Sequence, residues 1–200
     1  MKKDKLTHFN EHGQARMVDV STKKVTAREA VARGTVFMQP STLDAIVRDE
    51  IKKGNAQEVA KIAGIMAAKR TSSLIPLCHP IPLTAIDLNF FIDRAQSCIT
   101  IESEVKTSGQ TGVEMEALVA VSVAALTIYD MCKAIDRAMR IGDIILMKKS
   151  GGQSGLFIRE DIREDIGGDI HEDLHANMHE DILKESGTED PDGIEKREEI

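Results

Sequence analysis

Ile86-Asp87-Leu88-Asn89-Phe90-Phe91-Ile92-Asp93 and, shortly after it, Ile99-Thr100-Ile101-Glu102-Ser103-Glu104-Val105-Lys106 each alternate side-chain character along their length. A period of two marks extended backbone with one buried face, because successive side chains point to opposite sides. Ile86, Leu88, Phe90 and Ile92 share one face of the first segment; Ile99, Ile101, Ser103 and Val105 share one face of the second. The two are expected to pair as an antiparallel hairpin. Downstream, Thr111 is expected to cap a long helix reaching about Met139, and Asp143 to Met147 reads as a short strand feeding a glycine-rich loop. Upstream, Ser41 with Asp44 is expected to cap a helix that Gly54 ends, with Ile46, Val47 and Ile51 buried. Asn55 with Glu58 opens a second helix, with Val59, Ile62, Ala63 and Met66 inward and Lys69 and Arg70 in its last turn, where cations suit the carbonyl dipole. Helices packed on an antiparallel sheet make an α+β domain.

Composition bounds what this domain can be. Two hundred residues with 42% hydrophobic content are enough for one domain with a proper core. Met1 to Thr7 carries positive charge with no apolar run behind it, so it does not read as a signal peptide. The charge-free run Ala117 to Tyr129 has 13 residues, short of the ~20 needed to cross a bilayer. Cys78, Cys98 and Cys132 are an odd number without CxxC spacing, as reduced thiols in a cytoplasmic protein would be. The net charge of -7 hides an asymmetry: residues 158–200 hold 16 acidic and 5 basic side chains (-11), leaving 17 acidic and 21 basic (+4) in residues 1–157. The chain is therefore read as a domain over 1–157 and an acidic tail over 158–200. In the tail an apolar residue recurs every fourth position from 162 to 182, a step that spirals around a helix instead of lining one face. That pattern suits a weakly helical or disordered extension. His171, His175 and His179 in acidic surroundings are not read as a metal site, and no metal is expected in the domain.

Three segments carry chemistry. Lys69-Arg70-Thr71-Ser72-Ser73-Leu74-Ile75-Pro76-Leu77-Cys78-His79-Pro80 gathers two cations, hydroxyls, a thiol and an imidazole before a proline-braced turn. Thr111-Gly112-Val113-Glu114-Met115-Glu116-Ala117 opens the long helix, which ends in Tyr129-Asp130-Met131-Cys132-Lys133. Met147-Lys148-Lys149-Ser150-Gly151-Gly152-Gln153-Ser154-Gly155 offers cations beside flexible amides, though it is not a P-loop because its lysines precede the glycines. Asp130 follows an apolar run and is expected to be partly desolvated, with Lys133 one turn on as counter-ion, a pair able to shuttle protons. Alone, such a pair is an ordinary helix-end ion pair. Cys78 and His79, adjacent on an extended segment, are expected to face opposite ways, so His79 reads as a substrate contact or proton carrier and Cys78 as packing or a main-chain contact. Glu116 lies near the angular position of Asp130 but about 21 Å away along the helix axis. One small substrate touches both only if two subunits build the site.

In order, spacing and content these segments resemble the cyclic pyranopterin monophosphate synthase family of molybdenum cofactor biosynthesis, over about Leu6 to Phe157. The resemblance implies a ferredoxin-like α+β fold and a homohexamer built as a trimer of dimers, with the active site at the dimer interface. It implies a phosphorus-oxygen lyase that converts a guanosine triphosphate derivative, cyclised between ribose C3′ and base C8, to cyclic pyranopterin monophosphate with release of pyrophosphate. It assigns Asp130 and Lys133 as the central acid/base pair. Lys53, Lys69, Arg70 and Lys149 would hold phosphates, and Leu77, Cys78, His79, Met115 and Glu116 would contact substrate, with Glu114 and Arg28 beside them. No redox cofactor is expected; whether Mg²⁺ accompanies the triphosphate is not set by the sequence. The competing reading is a non-catalytic nucleotide sensor or scaffold, which needs the cations but not an acid beside them. Nucleic-acid binding is disfavoured by a body charge of only +4, no tryptophan and one tyrosine.

Overall fold

The computed structural model describes residues 13–159. Its elements run β1 (Thr26–Phe37), α1 (Pro40–Val47), α2 (Ala56–Ala68), α3 (Thr71–Leu74), β2 (Leu83–Asp93), β3 (Cys98–Gly109), α4 (Glu114–Cys132), β4 (Arg140–Ser150) and β5 (Phe157–Ile158). They form one antiparallel sheet in the order β2-β3-β1-β4-β5. Two strand-helix-strand halves interleave, with β1 and β3 adjacent at the centre, which is the ferredoxin-like arrangement. The expected hairpin forms in the expected phase: Ile86 faces Val105, Phe90 faces Ile101 and Ile92 faces Ile99. Ile99, Ile101 and Val105 are fully buried under α4, and Ser103 Oγ donates to the Ala117 carbonyl at 2.8 Å, pinning helix to sheet.

The central strand β1 was not foreseen. Its sequence, rich in Ala, Arg and Glu, favours helix by composition, yet Ala30, Ala32 and Val36 are wholly buried in the core. Small residues are needed there because α4 crosses closely: a Cβ on Gly34 would lie 2.6 Å from Val121 Cγ1. On the other face Arg33 pairs with Glu102 at 3.0 Å, the two side chains only 4% and 12% exposed, and Arg33 Nε has no partner.

Several local expectations change. Gln39, not Ser41, precedes α1, with Pro40 at the first helical position where its missing N–H costs nothing. Thr42, Leu43 and Ile46 are the buried residues of α1 and Val47 is exposed, while Ile51 is buried beyond the helix end. Asn55 caps α2 as read, its side chain accepting from Glu58 N. The inward face of α2 is instead Ala56, Ala60, Gly64 and Ala67, with Val59, Ile62 and Met66 exposed. The cause is close packing of α2 on α4, since a Cβ on Gly64 would lie 2.5 Å from Leu88 Cδ2 and 2.9 Å from the Ala120 carbonyl. Helix α4 starts at Glu114 without a side-chain cap and stops at Cys132, well short of Met139. Met139 leads instead into β4, an eleven-residue strand that takes up Lys148 and Lys149. Helix α4 has the length and apolarity of a bilayer span, but it is a core helix, with ten of its residues buried against sheet and α2. Ile158 pairs with Lys148 and Arg159 Nε donates to the Leu146 carbonyl, so the described body runs past residue 157. From residue 160 on, the tail with its tetrad pattern and histidines lies outside the described residues.

Candidate active site

The first half of the site forms where the N-terminus of α4 meets the segment between α3 and β2. A cavity of about 260 Å³ is lined by Leu77, Cys78, His79, Thr111, Gly112, Glu114, Met115 and Glu116, with Val18, Val20, Lys23 and Ile81 completing the wall. Cys78 and His79 thus both line this cavity. The segment bends here, with Cys78 N–H donating to the Ile75 carbonyl, so the alternation of an extended strand does not apply. His79 Nε2 lies 2.8 Å from the Val18 carbonyl. A carbonyl only accepts, so this nitrogen carries a proton and donates. Glu116 is 3% exposed and pairs with no cation among the described residues; burial, reinforced by the charge of Glu114, pushes its carboxyl up to about 7. Burial also pushes the Cys78 thiol up, with the Glu116 charge adding to it. This half therefore presents a carboxyl that titrates near neutrality beside a proton-bearing imidazole.

The second half lies at the far end of α4. Asp130 Oδ1 meets Lys133 Nζ at 2.7 Å, and its Oδ2 meets Lys53 Nζ at 2.9 Å. Lys53 also donates to the Asp130 main-chain carbonyl at 2.6 Å, a cation at the negative end of the helix. Hydrogen bonds from Lys133 and then Lys53 hold Asp130 down at about 2, and Asp130 in turn raises Lys133. Asp130 is 57% exposed, against the expectation of a desolvated acid: the buried stripe of α4 turns away from this position, leaving the carboxylate on the open face. Lys53, expected from the sequence to hold phosphate, stands here beside Asp130 as its second counter-ion.

A third group gathers at the glycine loop. Gly151 and Gly152 both adopt positive φ; a Cβ on Gly151 would lie 2.2 Å from the Ala27 carbonyl oxygen, which requires glycine there, and one on Gly152 would meet Arg28 Nη1, over which the loop passes. Arg28 Nε and Nη2 donate to the Gly109 and Gln110 carbonyls at 2.9 and 3.1 Å. Lys149 Nζ contacts Ser154 Oγ across the loop. Lys148 is 8% exposed and paired with Glu29 at 3.0 Å, which makes it structural. Lys69 caps the C-terminus of α2 and Arg70 precedes α3; both are exposed, and no acid pairs with them among the described residues.

Of the residues read from sequence, Leu77, Cys78, His79, Glu114, Met115 and Glu116 come together around one cavity, and Lys53, Asp130 and Lys133 around another point. The two groups do not meet in one chain, because 14 residues of helix hold Glu116 about 21 Å from Asp130. Val18, Val20 and Lys23 were missed; they sit in irregular backbone ahead of β1, where no periodicity signals a role. The free state of all three cysteines agrees with the sequence reading.

Comparison with known proteins finds the same pattern. A family model described as the MoaC family matches residues 17–152. A relative from Heliobacterium modesticaldum, a cyclic pyranopterin monophosphate synthase, is 62% identical over 158 residues, covering 79% of this chain and 99% of its own. Proteins of the same name from Thermoanaerobacter sp. (63% over 155 residues, 78% and 98% covered) and Parvibaculum lavamentivorans (60% over 151 residues, 76% and 94% covered) align likewise. With a family match that spans β1 to β4 and both halves of the site, this chain belongs to the MoaC family.

Proposed function

We propose that this chain is a cyclic pyranopterin monophosphate synthase, acting early in molybdenum cofactor biosynthesis on (8S)-3′,8-cyclo-7,8-dihydroguanosine 5′-triphosphate and releasing pyrophosphate. The observation that carries this reading is identity of about 60% over almost the full length of relatives bearing that name. The chemistry required is ring opening of the guanine-derived part, closure to the pyran and pterin, and attack of a sugar hydroxyl on the α-phosphate. In the last step a new P–O bond forms, the bond to pyrophosphate breaks and the hydroxyl proton must be removed. We assign Asp130 to accept protons and Lys133 to return them; because their pairing lowers the basicity of the one and the acidity of the other, the exchange requires that substrate phosphates draw the ammonium groups off the carboxylate. Lys69, Arg70 and Lys149, with the amides of the glycine loop, supply charge for the phosphates; Arg28, tied to two carbonyls, stands beneath that loop. Leu77, Cys78, His79, Met115 and Glu116 form the wall against which the base-derived rings would lie. These steps need acids, bases and cations and no redox cofactor, and are assigned to the cytoplasm.

Two subunits are proposed to complete each site, within a hexamer arranged as a trimer of dimers. Between Glu116 and Asp130 the open face of α4 presents Ser122 and Leu126 without charge. A two-fold axis near Ser122 and Val123, midway along the helix, would set Glu116 of one subunit against the acid of the other. Light scattering tests the assembly, and mixing tests the sharing: Asp130→Asn and Glu116→Ala, each inactive alone, should recover activity when co-assembled, because one site of a mixed dimer keeps both residues. The decisive assay follows pyrophosphate and the oxidised fluorescent pterin. Wild-type turnover lost in Asp130→Asn and Lys133→Ala supports the enzyme. Binding without pyrophosphate release would favour a sensor or scaffold.

A further inference from the structure

Residues 13–25 form no helix or long strand, and none is fully buried; Met17 is 51% exposed and Val25 63%. Yet Val18, Val20 and Lys23 from this segment wall the candidate substrate cavity. Between Val18 and Lys23 its main-chain carbonyls take three bonds from side chains of the body. His79 Nε2 reaches Val18 O at 2.8 Å, and Gln110 Nε2 donates to both Ser21 O and Lys23 O at 3.1 Å. Two carbonyl partners fix the orientation of the Gln110 amide, because only its nitrogen can serve them. Within the segment a tight turn keeps those carbonyls in place, with Lys23 N–H on Val20 O and Ser21 N–H on Asp19 Oδ1, each at 2.9 Å.

We propose that residues 17–24 are a strap that closes the substrate cavity, and that Gln110 is the positioning residue that latches it. The proposal rests on the synthase reading for the identity of the substrate, but the latch itself stands on geometry. Residues 17–24, fastened through these side-chain bonds and without a buried apolar side chain, belong to the least stable part of the fold and open far more often than the sheet beneath them. Opening removes one wall of the cavity and lets substrate in; closing excludes water from the reaction. Gln110 also ties the strap to the phosphate end of the site. Its main-chain carbonyl holds Arg28, whose remaining Nη1 underlies Gly152, so one residue touches both the strap and the support of the glycine loop. His79 contributes the second fastening, which places its proton on the strap as well as in the cavity.

Limited proteolysis at Lys23 and Lys24 reads the latch directly. Gln110→Ala should speed tryptic cleavage there about tenfold, the effect of losing one to two net hydrogen bonds from the closed state. Gln110→Glu, equal in size but unable to donate, should behave like the alanine variant, which separates donation from bulk. The cyclised triphosphate should slow cleavage in wild type, and both variants should raise KM several-fold with kcat within about twofold. Melting temperatures near wild type confirm that the body stays folded. Cleavage as slow in both variants as in wild type overturns the latch, and faster cleavage with unchanged KM overturns the strap's part in substrate binding. Absence of turnover in wild type refutes the synthase reading instead, while the proteolysis comparison still decides the latch.

Discussion

Replacing Glu116 with Gln should change how stability depends on pH. Glu116 is 3% exposed, has no cation paired with it among the described residues of its own chain, and its carboxyl is raised there from 4.5 to about 7. Between these values the folded protein keeps a proton that the unfolded chain has released. Stability therefore falls as pH rises, by about 1.4 kcal/mol per unit. Below 4.5 both states hold the proton and nothing is lost; above about 7 both have released it and the full deficit stands. The total is about 3 kcal/mol, the shift multiplied by that slope. Gln keeps the shape and removes the titration, so the variant should match wild type near pH 4.5 and exceed it by about 3 kcal/mol at pH 8. Urea unfolding at half-unit steps from pH 4.5 to 8.5, at one fixed protomer concentration, measures the difference. Parallel curves for the two proteins would refute the reasoning, since they would mean that the Glu116 carboxyl is solvated or paired.

Other outcomes follow from packing and charge. Gly64→Ala should lower stability by about 1–3 kcal/mol despite the better helix propensity of Ala, because the new methyl meets Leu88 and the Ala120 carbonyl; thermal melting reads the loss. Glu102→Ala should cost about 3–5 kcal/mol by stranding the Arg33 guanidinium, whereas the double change Arg33→Met with Glu102→Leu should be near neutral; chemical denaturation of the three proteins tests it. Removing residues 160–200 should leave turnover unchanged, as the Heliobacterium relative, aligned over 99% of its length, covers only 79% of this chain. Desalting after treatment with a chelator, followed by return of Mg²⁺ alone, should restore full pyrophosphate release if no redox cofactor takes part.

How much of this could be read beforehand depended on whether local pattern or long-range contact decided the structure. The β2–β3 hairpin was readable because alternation sets both face and register. The Asn55 cap was readable because its partner Glu58 is three residues away. β1 was not, since its small residues answer to the nearness of α4, a contact some 90 positions distant that no window of sequence contains. The inward face of α2 was misjudged for the same reason: close approach to α4 requires Ala and Gly and turns the larger Val59, Ile62 and Met66 outward. At the site, residue types and groupings were readable. The exposure of Asp130 and the burial of Glu116 were not, because each depends on which side of α4 meets the sheet, and a helix apolar on nearly all sides does not announce its buried face.

The tight seating of α4, with Gly34 beneath Val121 and Gly64 against the Ala120 carbonyl, turns this helix into a gauge. It can neither slide nor roll without driving a side chain into backbone, so the interval between its two chemical ends is set by residue count alone. One residue added between Glu116 and Asp130 would swing one end about 100° around the axis relative to the other and lengthen the interval by about 1.5 Å. The loops of this domain can change length at modest cost. The nineteen residues of α4 cannot, because they alone set the distance between Glu116 and Asp130.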